Sequence, residues 1–152
     1  MTKEVVGVAL CVRSGRGTIL FIEELKAKPA FDKHIGLLSV PLETIEDEEN
    51  VGDATRRLIL EEIGSSLLDT LKGFQLLEVP LCGTYASGIS FRLYVAWVDV
   101  EDEFRACPTD SDIAHNGWYT ESQIQELQAQ GRLRVEVPLV LALCHDRMQT
   151  TT

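Results

Sequence analysis

The chain has 152 residues, 45% hydrophobic and 25% charged, with a formal net charge of −10. That length suits one domain able to bury roughly 70% of its unfolded surface, and the composition excludes disordered, collagen-like and membrane-spanning classes. The acidity is local: residues 43–62 and 99–112 carry a net −11, whereas the other 118 residues carry a net +1.

Without Lys and Arg stripes, neither a nucleic-acid binder nor a membrane-surface protein is expected. No segment approaches the ~18 apolar residues of a membrane span, and Met1-Thr2-Lys3-Glu4 leads directly into a strand-like pattern instead of a signal peptide. A cytoplasmic location is the expectation. Cys11, Cys82, Cys107 and Cys144 are widely spaced without a C-x-x-C pair, which favours reduced thiols over a zinc site or a disulfide framework.

In chain order, Val5 to Val12 is a continuous β-branched and apolar run, Ser14-Gly15-Arg16-Gly17 supplies turn residues, and Thr18 to Ile22 follows as a second strand, predicting a hairpin. Residues 25–35 are basic and contain Pro29, as an exposed loop would, and a short apolar segment runs from Gly36 to Val40. After the first acidic run, Asp53-Ala54-Thr55 opens a helix to Ile63, with Gly64 as a left-handed residue past its end. Gly73 to Cys82 and Gly88 to Val100 read as long antiparallel strands about a turn-rich loop. The second acidic segment is a loop containing Pro108, and Trp118-Tyr119 is a short strand end. Thr120 then starts a helix containing Ile124 and Leu127, and Pro138 to Met148 forms the last helix. The order predicts a single α+β domain over residues 1–152, in a three-layer α/β/α sandwich.

On the middle helix, ~100° per residue puts Arg57 one turn before Glu61 and Leu58 one turn before Glu62. Adjacent carboxylates at a helix C-terminus oppose the macrodipole. Pairing with Arg57, or a hard divalent cation shared by Glu61 and Glu62, would compensate; a solvated acidic helix end is the plainer alternative.

The longer pattern resembles the Nudix hydrolase motif G-x5-E-x7-R-E-U-x-E-E-x-G-U, where U is bulky and aliphatic. Aligned on Gly64, Glu49 matches its first Glu, Arg57 its Arg, Ile59 its U, and Glu61 and Glu62 its E-E pair. The chain departs where Glu43 stands for the opening Gly, Leu42 for the Gly often preceding it, Leu58 for the Glu after Arg, and Ser65 for the last U. Asp110-Ser111-Asp112-Ile113, Trp118 and Pro138-Leu139-Val140 are similar to the tail of the branch acting on nucleoside and pyrimidine diphosphates.

The resemblance implies a Nudix fold, with a mixed central sheet between the box helix and the C-terminal helices. It also implies Mg²⁺- or Mn²⁺-dependent attack of water on a phosphorus of a nucleoside diphosphate linked to X. By the same resemblance the catalytic set is Arg57, Glu61, Glu62 and Glu49, with Arg57 orienting Glu61, and the metal set is Glu61, Glu62 and Asp112, with Asp110 as second choice. Leu58 would face the metal, where some relatives use a carboxylate as ligand or base. Glu43 and Glu46 are auxiliary carboxylates, and Tyr85, Phe91 and Trp118 are candidate stacking rings. A small nucleotide or diphosphate would be the partner, in a monomer or a homodimer. The alternative is a Nudix-fold module that has lost catalysis and binds a nucleotide or a protein.

Overall fold

The computed structural model describes residues 4–65, 74–77 and 79–150. The apolar run near the start forms β1 (Glu4–Arg13), and it is buried on both faces, as continuous rather than alternating hydrophobicity requires. Val8, Leu10 and Val12 point into one cluster with Ala54, Leu58, Ile59 and Ile63, whereas Ala9 and Cys11 point into another with Val137, Val140 and Cys144. The first cluster lies beneath the middle helix and the second beneath the two C-terminal helices. The molecule is therefore the expected α+β sandwich around a mixed sheet.

Strand β1 pairs in parallel with β7 (Ser90–Asp99) from Glu4↔Ser90 to Arg13↔Asp99. On its other edge it changes partner. Near the turn it meets β2 (Ile19–Glu24) at Arg13↔Ile19, and at Gly7 to Ala9 it pairs antiparallel with β4 (Leu42–Thr44). The expected hairpin is thus short, and β2 spends its length on β3 (Leu38–Ser39) and β8 (Ile113–Tyr119). A cleft opens where β2 and β4 diverge. Gly7 permits the close approach of β4 to β1, because a Cβ there would stand 2.9 Å from the Glu43 carbonyl oxygen.

The expected strand over 73–82 is reduced to β5 (Gln75–Leu76) and β6 (Leu81–Thr84), with Pro80 between them; residues 73 and 78 lie outside the described residues. Strand β8 is longer than the Trp118-Tyr119 end expected, because its polar start, Ala114-His115-Asn116-Gly117, is held by pairing with β2. Helix α2 (Glu121–Ala129) carries the expected Thr120 cap as a reciprocal box with Gln123, and α3 (Val137–Thr150) follows with Pro138 in its first turn. No helix among the described residues is long and apolar enough to cross a membrane.

Two features of the middle helix differ from expectation. Helix α1 (Val51–Leu58) begins before Asp53, because Asn50 accepts the Asp53 N–H at 2.7 Å and leaves Asp53 in the first turn, where the dipole favours an anion. The helix then widens into a π turn over Ile59–Ile63, closed by Gly64 N–H to Ile59 C=O at 2.8 Å. Gly64 has φ 123° and ψ 159°, a positive-φ extended conformation instead of the left-handed helical one.

The π turn also corrects the place of Leu58. An extra residue in the turn breaks the i, i+4 alignment with Glu62. Leu58 is completely buried among Val8, Leu10, Val12 and Leu20 and does not face the cleft, whereas Glu62 does. A carboxylate at 58 would enter hydrocarbon. Leu58→Glu is expected to destabilise the protein by about 3 kcal/mol or more, lowering its urea midpoint; an unchanged midpoint would refute this placement.

Candidate active site

Arg57 organises the acidic loop that precedes its own helix. Its Nε and Nη2 donate to both oxygens of Glu49 at 2.9 and 3.0 Å, and Nη2 also donates to the Thr44 carbonyl at 2.6 Å. Its Nη1 donates to Glu61 Oε2 at 3.3 Å and stands 3.5 Å from Glu43 Oε1. The expected pairing with Glu61 is present, but the fork-on-fork contact goes to Glu49. The Arg57 bonds, aided by the Glu46 N–H at 3.0 Å, hold the Glu49 carboxyl down to about 2. Glu49 in turn raises the already high pKa of Arg57.

The second acidic segment docks on the end of this helix. The π turn leaves carbonyls that the ladder does not satisfy, and the loop supplies the donors: Cys107 N–H reaches Ile63 C=O at 2.8 Å, and Thr109 N–H reaches Glu61 C=O at 2.8 Å. His115 Nδ1 accepts the Ala106 N–H at 3.0 Å and so pins the loop from β8. Burial, with the nearby Arg105 charge, lowers the His115 pKa, consistent with a neutral acceptor.

Together the segments contribute to a cleft of about 140 Å³, lined by Glu62, Glu43, Asp110 and Asp112 and also by Glu24, Lys28, Lys33, Tyr85, Arg134 and Glu136. Glu62 is 2% exposed. Its Oε1 accepts the Leu42 N–H at 3.3 Å, whereas Oε2 has no hydrogen-bond partner among the described residues. Burial, reinforced by the charge of Glu43, pushes its carboxyl well above the usual range. Burial, then a hydrogen bond with the Glu61 carboxyl, raises Glu43 to about 7 against the pull of Arg57. This is an electrostatic deficit that a cation would relieve.

The inferred metal set is only partly gathered. Glu62 and Asp112 line the cleft; Glu61 is outside that lining, bound to Arg57. Asp112 pairs with Lys26 at 3.0 Å, which lowers its pKa, and its N–H bonds Asp110 Oδ1 at 2.9 Å. Among the described residues, no group of three or more His, Cys, Asp or Glu side chains has the arrangement of a metal cage. Mg²⁺ does not require one, since it binds through one or two carboxylates with waters and substrate phosphates. The donor chemistry and the orphaned Glu62 oxygen therefore fit such an ion.

Of the stacking candidates, Tyr85 lines the cleft and packs on Phe91 with ring centroids 4.8 Å apart. Trp118 does not line it: its Nε1–H donates to Phe104 C=O at 2.7 Å, and its ring packs beside the box-helix core.

Residues 2–139 match the family model described as NUDIX domain. No curated protein matches the chain. Among solved structures, it is similar to a NUDIX hydrolase from Nitrosomonas europaea at 24% identity and TM-score 0.67, covering 97% of this chain and 90% of that one. The NUDIX domain of Shewanella oneidensis NrtR, complexed with ADP ribose, aligns at 10% identity and TM-score 0.72, covering 100% and 91%. A bifunctional NMN adenylyltransferase/ADP ribose pyrophosphatase from Francisella tularensis, complexed with AMP and a Mn ion, aligns at 15% identity and TM-score 0.62, covering 97% of this chain but 42% of that one.

The Arg57 clamp has a pH signature. A carboxyl depressed in the folded state contributes stability that is complete above its unfolded pKa and is lost as pH falls through the folded value, here about 2 for Glu49. In Arg57→Met, carbon-detected NMR titration should return Glu49 to the ordinary range near 4; a Glu49 still titrating near 2 would show that Arg57 is not the cause.

Proposed function

The chain belongs to the NUDIX family, whose hydrolases act on phosphorus anhydride bonds, and on that premise we propose that its acidic cleft is a divalent-metal-dependent hydrolytic site for a nucleoside diphosphate linked to X. The observation that carries this reading is Glu62 Oε2: a carboxylate oxygen on the box helix, buried without a partner, in a cleft where Glu43, Asp110 and Asp112 concentrate negative charge. Structural neighbours complexed with ADP ribose or with AMP and a Mn ion support a nucleotide as the ligand and a divalent cation as the cofactor.

In this reading Glu62 and Asp112, with Glu61 and Asp110 beside them, would hold Mg²⁺ or Mn²⁺. When bound, the ion polarises phosphate oxygens and offsets repulsion between anionic substrate and acidic cleft. Water attacks one phosphorus, the bond from that phosphorus to the bridging oxygen breaks, and the bridging oxygen leaves with the other phosphate. Arg57 and Glu49 act by position: they fix the 43–49 loop, and Arg57 holds Glu61. Leu42 N–H positions Glu62 by holding Oε1, and Oε2 is left without a hydrogen-bond partner among the described residues. The protein is taken as one cytoplasmic domain over residues 1–152.

A second reading, a nucleotide-binding module without turnover, is favoured by Leu58 sitting in the core, where it gives the cleft no carboxylate. Activity decides between them. Purified protein with Mg²⁺ or Mn²⁺, screened against nucleoside di- and triphosphates, ADP-ribose and dinucleoside polyphosphates, should release product, and Glu62→Gln should cut the rate at least about a hundredfold. ADP-ribose binding without turnover of any substrate would establish the binding module instead.

A further inference from the structure

Before it reaches the cleft, the second acidic segment is bonded first to β8 and then to the end of the box helix. Trp118 Nε1–H holds the Phe104 carbonyl at 2.7 Å, and His115 Nδ1 accepts the Ala106 N–H at 3.0 Å. The amides that follow go to the π turn: Cys107 N–H donates to Ile63 C=O and Thr109 N–H to Glu61 C=O, both at 2.8 Å. Asp110 and Asp112 then line the cleft. Residues 106 and 107 thus join the loop to both walls, one amide to each.

The bond from Ala106 differs from the others in its acceptor. Ala106 is 2% exposed and packs in the box-helix core, so water is a poor substitute for a lost partner of its N–H. That partner is not a carbonyl but an imidazole nitrogen, which accepts only while it is unprotonated. With Nδ1 accepting, the neutral ring carries its proton on Nε2. A proton added to Nδ1 sets one N–H against another and leaves the Ala106 amide buried without a partner.

The surroundings favour the neutral ring. Burial, and then the charge of Arg105 on the loop beside the bonded amide, lower the His115 pKa below its ordinary value. The Cys107 thiol on the same loop donates to the Arg105 carbonyl at 3.7 Å. On β2 the cross-strand partner is Ile22, while Glu23 accepts from Asn116 Nδ2 and Glu24 is paired with Arg134 and Lys33. Glu61 on the π turn is held by Arg57, and Asp112 ahead of β8 by Lys26.

We propose that His115 is a positioning residue of the site: as a neutral acceptor it keeps the loop joined to the box helix, so that Asp110 and Asp112 stay at the cleft with Glu62, and its protonation uncouples them. The consequence for a cation rests on the metal-site reading, since an ion shared by Glu62 and Asp112 needs the two segments in register. Supporting residues of this kind change metal affinity about 10- to 100-fold.

Amide exchange in metal-free buffer compares wild type with two variants. In His115→Asn the side-chain Oδ1 takes the place of Nδ1 and accepts at every pH; His115→Leu has no acceptor. Relative to intrinsic rates, the Ala106, Cys107 and Thr109 amides of the wild type should lose at least about tenfold in protection between about pH 7 and pH 4.5. His115→Asn should keep that protection at both values, and His115→Leu should lack it at both. The Asn variant has the same carboxylates, so a pH effect arising in Glu43 or Glu62 shows in both proteins. Equal pH dependence in wild type and His115→Asn, or a loss confined to Ala106, would overturn the proposal. With Mn²⁺ at pH 7, calorimetry should give His115→Leu an affinity at least about tenfold weaker than wild type, and His115→Asn one within about threefold of it. Wild-type Mn²⁺ affinity in His115→Leu contradicts the positioning role. No Mn²⁺ binding by any of the three defeats the metal reading alone, and the exchange pattern still decides whether His115 holds the loop. Should His115→Leu fail to fold, wild type against His115→Asn carries the same test.

Discussion

A single guanidinium sets the shape of the acidic half of this protein. Arg57 grips Glu49 with two hydrogen bonds, takes the Thr44 carbonyl with a third and reaches Glu61 with a fourth. The 43–49 loop is thereby folded back on the helix that follows it. Without a fixed cation there, Glu43, Glu46, Glu49 and Glu61 would repel one another and the loop would have no preferred path. With it, the backbone at Leu42 comes close enough for its N–H to hold one oxygen of Glu62. The other oxygen is left buried without a partner, and this burial raises the pKa of Glu62.

The π turn is the second element of the design. It separates Leu58 from Glu62, giving one to the core and the other to the cleft. It also frees carbonyls on which the second acidic segment docks through Cys107 and Thr109. The two regions that hold most of the negative charge therefore meet through backbone hydrogen bonds, and the like-charged side chains are left to share the cleft. The cleft is lined both by the unpartnered carboxyl of Glu62 and by the ion pairs of Arg134 with Glu24 and Glu136.

Much of this was legible in the sequence. The apolar run of β1, the Thr120 cap and the spacing of Arg57, Glu61, Glu62 and Gly64 are local patterns whose physics acts within a few residues, and the sandwich followed from them. What was not legible depends on distant pairing or on a change of helical pitch. Strand β8 begins with a polar run that only pairing with β2 makes a strand. The place of Leu58 differs from that expected of 3.6-residue periodicity because the helical pitch changes at the π turn. Glu24, Tyr85 and the Arg134–Glu136 pair are far apart in sequence and share no motif. Beyond Tyr85 as a candidate ring, the signal was charge in otherwise apolar surroundings, Glu24 after Thr18 to Ile22 and Glu136 between Val135 and Val137.

The central claim is that Glu62 keeps an oxygen free so that the cleft holds a divalent cation. A crystal soaked in Mn²⁺ and measured at a wavelength where manganese scatters anomalously tests it directly. The account predicts an anomalous peak in the cleft at about 2.0–2.6 Å from Glu62 Oε2. A fully occupied ion elsewhere on the molecule, with no peak at Glu62, would contradict it.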